Sequence, residues 1–323
     1  MPATARPPNH PTAAVLVGVD AGASHCTVVV AGEDLEVRGR AEGQAAAVRP
    51  GGAATSAAAI AETARRAAAQ AGLPLPADRA VVGAAGAGRA LEQEELAAAL
   101  VAAGVARAVR VLPDGETALS AAFGASPGIV VNAGTGSVAF ARDRTGVLHR
   151  SGGHGWQLGD EGGGYWLGRK ALDAAARAQD GRGEGSTLLA RLLGSLGLRR
   201  FEDLVRWTAT ATPAQIATLA PQVLNAAAEG EAVAQRAVTD AAQELAGLAL
   251  ALERHFPGHG TIGVATTGGL LAPPSPLAAA FREALAARMP RARLGETRVD
   301  AAVGALRMAG SATPREPTSP SPQ

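Results

Sequence analysis

The sequence predicts an α/β protein built from two related domains. Val-rich segments that suit buried strands alternate with Ala-, Arg- and Glu-rich segments that suit helices, which is typical of sheets flanked by helices. A strand, a turn of small residues and a second strand occur near residue 20 and again near residue 134, which indicates an internal repeat. The length of 323 residues is sufficient for two domains of ordinary size.

The composition excludes several classes of protein. With 30 basic and 29 acidic residues the formal net charge is +1, which gives no support to a dedicated nucleic-acid or membrane-surface binder. Cys26 is the single cysteine, so a disulfide framework and a cysteine-ligated zinc or iron–sulfur site within one chain are excluded. No apolar stretch approaches the roughly 20 residues of a membrane span without Gly, Pro or charge. We therefore expect a cytoplasmic protein.

The first half of the chain is expected to open with a hairpin and to continue with alternating strands and helices. Gly72 and Pro74 end the first helix, and Gly104 ends the second. Strands are predicted at residues 15–20, 27–30, 80–82 and 108–112, and helices at residues 53–70, 91–103 and 118–123.

The second half repeats the strand–turn–strand opening and is then mainly helical. Strands are predicted at residues 129–132, 138–141 and 261–265, and helices across residues 165–256 and at 276–289 and 299–308. We expect a disordered lead at 1–12, an N-terminal domain at 13–124 on which the helix at 299–309 packs, a C-terminal domain at 125–298, and a disordered tail at 310–323.

Two aspartates stand where a strand ends. Asp20 precedes Gly22, so its carboxylate could face a cation while the turn's N–H groups approach a phosphate. An ordinary hairpin whose Asp bonds its own backbone explains the same residues. Asp114 lies between a strand and a helix, where it could act as a general base for an alcohol or simply cap the helix.

The turn Gly134-Thr135-Gly136-Ser137 is of a size that suits a phosphate. It is not a P-loop, since no Gly-Lys-Ser/Thr follows, and no G-x-G-x-x-G opens a helix after the first strand. A second such turn in the equivalent place of the first half would let the two hold one polyphosphate from both sides.

Residues 152–162 are the densest functional segment. Five glycines surround Asp160 and Glu161, and turn chemistry explains the glycines but not the paired carboxylates, which can accept hydrogen bonds from sugar hydroxyls. His154 or Trp156 offers a flat ring.

Thr267-Gly268-Gly269 follows a strand, and it could let an adenosine lie against the backbone or be an ordinary strand-to-helix turn.

In their order along the chain these motifs resemble the N-acetylglucosamine/glucosamine kinase family (the BadF/BadG/BcrA/BcrD type), in the superfamily of actin, hexokinase and heat-shock-chaperone ATPases. The resemblance covers about Val15 to Ala309. It rests on residues 17–24 and 134–137 as phosphate motifs, 112–114 as the catalytic-aspartate segment, 152–166 as the sugar-side signature, 267–269 as the adenosine motif and 301–306 as the closing helix.

The resemblance implies two ribonuclease-H-like (actin/hexokinase-type) domains, each a mixed sheet flanked by helices, with ATP and Mg²⁺ in an interdomain cleft and a sugar at its mouth. It implies that Asp114 is the catalytic base and that Asp20 holds Mg²⁺ through water. It further implies ATP contacts from Asp20, Gly22, Ser24, Gly134, Thr135, Gly136, Ser137, Gly268 and Gly269, and sugar contacts from Asp114, His154, Asp160 and Glu161.

Three departures from the family pattern affect the site. The first phosphate motif, usually Asp-Gly-Gly-Gly-Thr, has Ala21, Ala23 and Ser24 here, so a hydroxyl is kept while two glycines are lost. Family members commonly carry a sugar-binding asparagine near Ala46 and Ala47. His154 stands where eukaryotic relatives carry Trp. The phosphate machinery is therefore better defined than the sugar.

The leading interpretation is an ATP-dependent kinase that makes the 6-phosphate of N-acetylglucosamine or glucosamine. A kinase for another amino sugar, such as N-acetylmuramate or an aminoglycoside-like sugar, and a non-enzymatic sugar- or nucleotide-binding regulator on the same fold remain open. A dehydratase-activating ATPase is rejected, because it needs a cysteine-ligated iron–sulfur cluster at a dimer interface and Cys26 lies in the first hairpin. The exact sugar and the existence of a homodimer also remain open.

Overall fold

The computed structural model describes residues 14–296 and 299–311. Its contacts divide the chain into two units: one contains the residues up to Leu112 and those from Ala305 onward, and the other is Pro113–Gly304. The lead expected at residues 1–12 and the part of the expected tail from residue 312 lie outside the described residues.

The described residues of each unit contain one five-stranded sheet. The strands of the first are β1 (Leu16–Ala21), β2 (His25–Ala31), β3 (Val37–Gln44), β4 (Ala77–Ala84) and β5 (Ala106–Pro113). The strands of the second are β6 (Gly128–Ala133), β7 (Ser137–Arg142), β8 (Leu148–Gly152), β9 (Ile262–Thr267) and β10 (Ala292–Leu294).

Helices lie in the longer connections between these strands, and the last helix follows β10. In chain order they are α1 (Ala53–Ala71), α2 (Ala90–Ala102), α3 (Asp114–Phe123), α4 (Gly164–Gln179), α5 (Leu188–Leu196), α6 (Phe201–Thr210), α7 (Pro213–Ala217), α8 (Ala220–Ala228), α9 (Ala232–Leu252), α10 (Pro276–Arg288) and α11 (Ala301–Ser311). Single turns of 3-10 helix lie at Glu253–His255 and Gly269–Leu271.

The two sheets share one topology. The first has the strand order β3-β2-β1-β4-β5, and the second, read from its other edge, has β8-β7-β6-β9-β10. In each, the first three strands pair antiparallel in sequence, and the fourth pairs parallel to the first. The internal repeat and the α/β fold class predicted from the sequence are thereby confirmed.

Valines and small residues build the core of the first unit. Val17 and Val19 of β1 and Val28 of β2 are fully buried together with Ile60 of α1. A β-carbon built on Gly43 would lie 2.0 Å from Oγ1 of Thr63, so α1 packs directly on β3. The Ala-rich face of α1 permits this close approach of helix and strand.

The second unit has larger apolar side chains in its core. Leu167 of α4, Leu245 of α9 and Phe281 of α10 are buried against the sheet residues Ile129 and Val131. On α3, Ala118 and Leu119 form a smaller cluster with residues of β6, β9 and α11.

Three observed strands were absent from the sequence prediction, and all three lie at sheet edges. β3 and β8 expose alternate residues and include Arg and Glu or His, so neither has an apolar run. β10 has three residues. Pairing along one side lets such polar segments form strands without a hydrophobic signal.

Two boundaries differ from the sequence prediction. Residues 113–124, assigned to the N-terminal domain, group with the second unit because α3 packs on β6 and β7. The last helix continues to Ser311, so Gly310 and Ser311 are helical although both were expected in the tail.

Candidate functional site

Two of the predicted turns lie side by side in the second unit. Asn132 of β6 pairs with Thr267 of the parallel strand β9, so the turns after both strands lie at the same edge of the sheet. A β-carbon built on Gly268 would lie 2.3 Å from the carbonyl oxygen of Ala133. The structure therefore brings together the turn predicted for phosphate and the turn predicted for adenosine.

A shallow depression adjoins Gly268. Thr267 and Phe281 line it, and the charged side chains of Arg282 and Glu296 belong to its lining. Neither charged residue was a candidate from the sequence, because Arg282 lies within α10, Glu296 follows β10, and the two share no motif. Their chemistry, a guanidinium plane and a carboxylate, suits a flat base that bears an amino group.

The turn Gly134–Ser137 is held against the segment that follows β8. The Ser137 N–H donates to Oδ1 of Asp160 over 3.4 Å, and the Gly164 N–H donates to the Gly134 carbonyl over 2.8 Å. A β-carbon built on Gly136 would lie 2.5 Å from Cγ of Asp160. Glycine at position 136 therefore allows the carboxylate to contact the turn.

Ser137 supports this contact with its side chain. Its hydroxyl is buried and donates to the carbonyl of Glu161 over 2.6 Å. In the structure the hydroxyl thus joins the turn to the Gly-rich segment, and its predicted contact with ATP remains a prediction. Around Gly134, by contrast, a built β-carbon meets no described heavy atom within 4 Å, so there is open space on that side of the residue. The Gly134 N–H itself donates to the Gly136 carbonyl over 2.9 Å.

Asp160 has an unusual conformation and environment. Its φ of 65° lies in the left-handed region, which non-glycine residues seldom adopt. Burial raises the pKa of the Asp160 carboxyl; the nearby Glu161 charge adds to this, and the Ser137 N–H and His154 oppose it. A strained acidic residue at a glycine-rich turn is a common feature of functional sites.

Asp114 is the first residue of α3. Its Oδ1 accepts from the Gly115 N–H over 3.0 Å, and its carbonyl accepts from the Thr117 hydroxyl over 2.9 Å. Burial raises the pKa of the Asp114 carboxyl, while the Gly115 N–H, the residue's own N–H and the charge of Arg150 act in the opposite direction. A carboxyl whose pKa is moved toward neutrality suits proton abstraction.

The position of Asp114 depends on the absence of a side chain at Gly115. A β-carbon built there would lie 2.2 Å from ring atoms of Phe140 in β7. We predict that Gly115→Ala displaces the start of α3 and lowers kcat about tenfold or more, because catalysis is sensitive to sub-ångström placement. Turnover assays on Gly115→Ala and on Gly115→Ala/Phe140→Ala test this, since alanine lacks the ring atoms that the new β-carbon would meet. The double variant should recover part of the loss, and equal loss in both would contradict the steric explanation.

Arg150 was not a candidate from the sequence, and the structure places it beside two residues that were. It lies in β8 directly opposite Phe140, so the two side chains share the face of the sheet on which α3 packs. Its Nη2 lies 3.4 Å from Nδ1 of His154, another predicted sugar contact. Strand alternation would have indicated this face, but β8 itself was not predicted.

The first unit holds the remaining predicted residues. Asp20 lies near the end of β1, opposite Thr27 and beside Gly83, the same position that Asn132 has in β6. Ser24 is exposed, with Oγ 3.1 Å from Nδ1 of His25. The Gly22 turn is therefore a short hairpin connection, as the sequence predicted.

The segment around Ala46 and Ala47, which lacks the sugar-binding asparagine that is common in the family, packs on the Gly22 turn. The N–H groups of Ala46 and Ala47 both donate to the Gly22 carbonyl, over 3.1 and 3.0 Å. The Ala46 side chain is 1% exposed, so a methyl group is buried where the resemblance leads one to expect an amide.

Cys26 is fully buried in β2, as predicted, and burial raises the pKa of its thiol to about 12.

Among residues 14–296 and 299–311 there is no group of three or more His, Cys, Asp or Glu side chains placed to hold a metal ion. In the same described part of the chain, no helix has the length and apolar character that crossing a membrane requires.

Two mixed sheets of one topology, each flanked by helices, define the class of actin/hexokinase-like two-domain kinase folds. A ROK family glucokinase from Streptomyces griseus, crystallised with glucose and AMPPNP, shares this fold with a TM-score of 0.57 at 17% identity, over 91% of this chain and 98% of that one. The family is more specific: residues 17–309 match the BadF/BadG/BcrA/BcrD ATPase family, and the chain belongs to it.

Three of the similar proteins have names that describe amino-sugar kinases. An N-acetylmuramic acid/N-acetylglucosamine kinase from Clostridium acetobutylicum is 32% identical over 233 residues, which is 71% of this chain and 76% of that protein. An N-acetyl-D-glucosamine kinase from Dictyostelium discoideum is 31% identical over 56% of this chain and 59% of its own length. The crystal structure of a candidate N-acetylglucosamine kinase from Chromobacterium violaceum has a TM-score of 0.77 and 31% identity, over 93% of this chain and 100% of that one.

Proposed function

We propose that this protein is an ATP-dependent carbohydrate kinase that phosphorylates a hydroxyl of an amino sugar, converting N-acetylglucosamine or glucosamine to the 6-phosphate. The observation that carries the proposal is Asp114, a carboxyl of raised pKa at the start of α3, in the same unit as two adjacent glycine turns. The two curated relatives, both amino-sugar kinases above 30% identity, support it.

In this proposal the two glycine turns hold the nucleotide. The backbone at Gly134, Thr135 and Gly136 contacts phosphate, and the turn at Gly268 and Gly269 faces the adenosine, whose base extends toward the depression lined by Arg282 and Glu296. Open space beside Gly134 and the adjacency of the two turns fit one extended nucleotide.

Asp20 is proposed to hold Mg²⁺ through water. A single carboxylate at a strand end fits this ion, because Mg²⁺ usually keeps several waters and is bound by one or two carboxylates together with substrate phosphates. When bound, the ion neutralises phosphate charge. Gly22 and Ser24 supply the backbone and hydroxyl groups of the same turn.

Asp114 accepts the proton of the attacking sugar hydroxyl. The sugar oxygen forms a bond to the γ-phosphorus as the bond from that phosphorus to the β-γ bridging oxygen breaks, and ADP leaves with the bond's electron pair. Positioning and charge neutralisation supply most of the catalysis in phosphoryl transfer. Burial around the carboxyl keeps water from the reacting proton.

Asp160 is proposed to contact the sugar together with His154 and Glu161. We predict that Asp160→Ala raises the Kd for the sugar about tenfold or more, the size of a lost hydrogen bond to a charged group, with a smaller change for ATP. Isothermal titration with each ligand measures both constants. Asp160→Asn is the matched variant, because its amide oxygen can still accept from the Ser137 N–H. Equal losses for sugar and ATP would place Asp160 at the metal instead.

The proposed reaction is tested by ADP release from Mg·ATP with a panel of sugars: glucosamine, N-acetylglucosamine, N-acetylmuramate, glucose and mannosamine. One strongly stimulating sugar, with the 6-phosphate identified by phosphorus NMR, would support the proposal. A flat panel from protein that still binds ATP would contradict it and favour a binding-only regulator.

A further inference from the structure

The proposed phosphoryl transfer assigns no role to Arg150, although this residue lies near the proposed base. It shares a sheet face with Phe140, on which the Asp114–Gly115 corner rests, and its guanidinium contacts His154. Its charge is close enough to Asp114 to lower the pKa of that carboxyl. Arg150 thus stands between the proposed base and the proposed sugar-binding segment.

The positive charge of Arg150 has no carboxylate partner within 4 Å in the described part of the chain, and the side chain is exposed. A neutral sugar that displaces water from this guanidinium leaves its charge uncompensated, which is unfavourable. A carboxylate matches the planar, two-pronged donor geometry of arginine and compensates the charge. The arrangement therefore favours an anionic group on the acceptor.

Arg150 is better placed to bind an anionic group on the acceptor sugar than to bind the transferred phosphate. The hydrogen bond of Arg150 is directed to His154 in the sugar-side segment. The glycine turns at 134–137 and 268–269 lie at the ends of other strands, β6 and β9. In the proposed function these turns, and not Arg150, are the ligands of the phosphates.

We propose that Arg150 binds a carboxylate carried by the acceptor sugar, so that the enzyme prefers an acidic amino sugar such as N-acetylmuramate to a neutral one of the same size. This inference rests on the proposed phosphorylation of an amino-sugar hydroxyl, and it changes the preferred acceptor from a neutral amino sugar to an acidic one.

The test compares N-acetylmuramate with its methyl ester, which has nearly the same size but no charge. The ratio of kcat/KM for the acid to that for the ester is measured in wild type, Arg150→Gln and Arg144→Gln. Arg144 is an exposed arginine in the β7–β8 turn and serves as the matched control. Using the ratio cancels any effect of Arg150 on Asp114, since that effect is common to both sugars.

We expect the wild-type ratio to be about 10 to 100, the range of a charge-assisted bidentate contact. It should fall to near one in Arg150→Gln and stay at the wild-type value in Arg144→Gln. A wild-type ratio near one, or a ratio that Arg150→Gln leaves unchanged, would overturn the inference and leave the kinase proposal intact.

A binding measurement separates this inference from the proposed function. Isothermal titration of the acid and the ester requires no turnover. If wild type phosphorylates no sugar, the proposed function fails. Preferential binding of the acid that is lost in Arg150→Gln would still support Arg150 as the carboxylate ligand, and equal binding of the acid and the ester would refute it.

Discussion

Asp114→Asn should lower kcat by about 10²- to 10⁴-fold, the usual contribution of a general base, while the Kd for ATP stays within a few-fold of wild type. The amide keeps the shape of the side chain and an oxygen that can accept from the Gly115 N–H, but it cannot take the sugar proton. ADP release and titration with an ATP analogue measure the two quantities. Asp173→Asn, at an exposed position on α4, is the matched control.

The same variant should be more stable than wild type at neutral pH. Burial raises the pKa of Asp114 above the 3.8 of an unperturbed carboxyl, so the folded state binds its proton more tightly than the unfolded state. The stability of wild type therefore falls as pH rises from 3.8 through the raised pKa, and an asparagine avoids this penalty.

Thermal unfolding of wild type and Asp114→Asn across this pH range checks the sign. The Tm of the variant should exceed that of wild type at pH 7 to 8, and the difference should close toward pH 3. Wild-type kcat/KM should also decline toward acid as Asp114 becomes protonated. Near-wild-type turnover by the variant would remove Asp114 from the role of base.

The sequence predicted the repeat because both first strands are buried runs followed by small residues. The apolar core of β1 and β6 and the shortness of their turns are local properties that a sequence pattern records directly. The matching order of strands in the two sheets, including the parallel fourth strand, follows from this repeat. Candidate residues at strand ends, such as Asp20 and Asp114, were found in the same way.

The sequence analysis did not predict the edge strands, and it therefore did not place Arg150 near the candidate residues. β8 exposes alternate polar side chains, so its hydrogen bonding to β7 leaves little trace in composition. Without that strand there was no reason to place Arg150 opposite Phe140 and near Asp114. The position of the Arg150 charge depends on the register in which β8 pairs with β7, and this register is not a local property of the sequence.

The contact between Asp160 and the turn Gly134–Ser137 could not be predicted from the sequence either. It depends on a positive φ at Asp160 and on the missing side chain at Gly136, which together let the carboxylate lie against the Ser137 N–H. A Gly-rich segment indicates freedom of conformation but not the particular conformation that is adopted.

Gly268 provides the second large expected effect. Its φ of 87° and ψ of 150° belong to a region that is nearly restricted to glycine, and a β-carbon there would lie 2.3 Å from the Ala133 carbonyl oxygen. Gly268→Ala must therefore separate the turn after β9 from the turn after β6, at a cost of about 1–3 kcal/mol for the backbone strain alone. Since the proposed nucleotide spans both turns, KM for ATP should rise about tenfold or more.

Gly269→Ala is the control that distinguishes an effect on the stability of the fold from an effect on nucleotide binding. A β-carbon on Gly269 meets no described heavy atom within 4 Å, so this substitution should leave the Tm nearly unchanged. Any rise in its KM for ATP would then come from contact with the nucleotide itself. In Gly268→Ala, a lower Tm together with an unchanged KM for ATP would show that the turn supports the sheet edge but does not hold the nucleotide. If Gly268→Ala loses ATP binding but still binds the sugar, the nucleotide lies at the edge formed by β6 and β9. The substitution displaces the turns at that edge, so a ligand bound elsewhere should be unaffected.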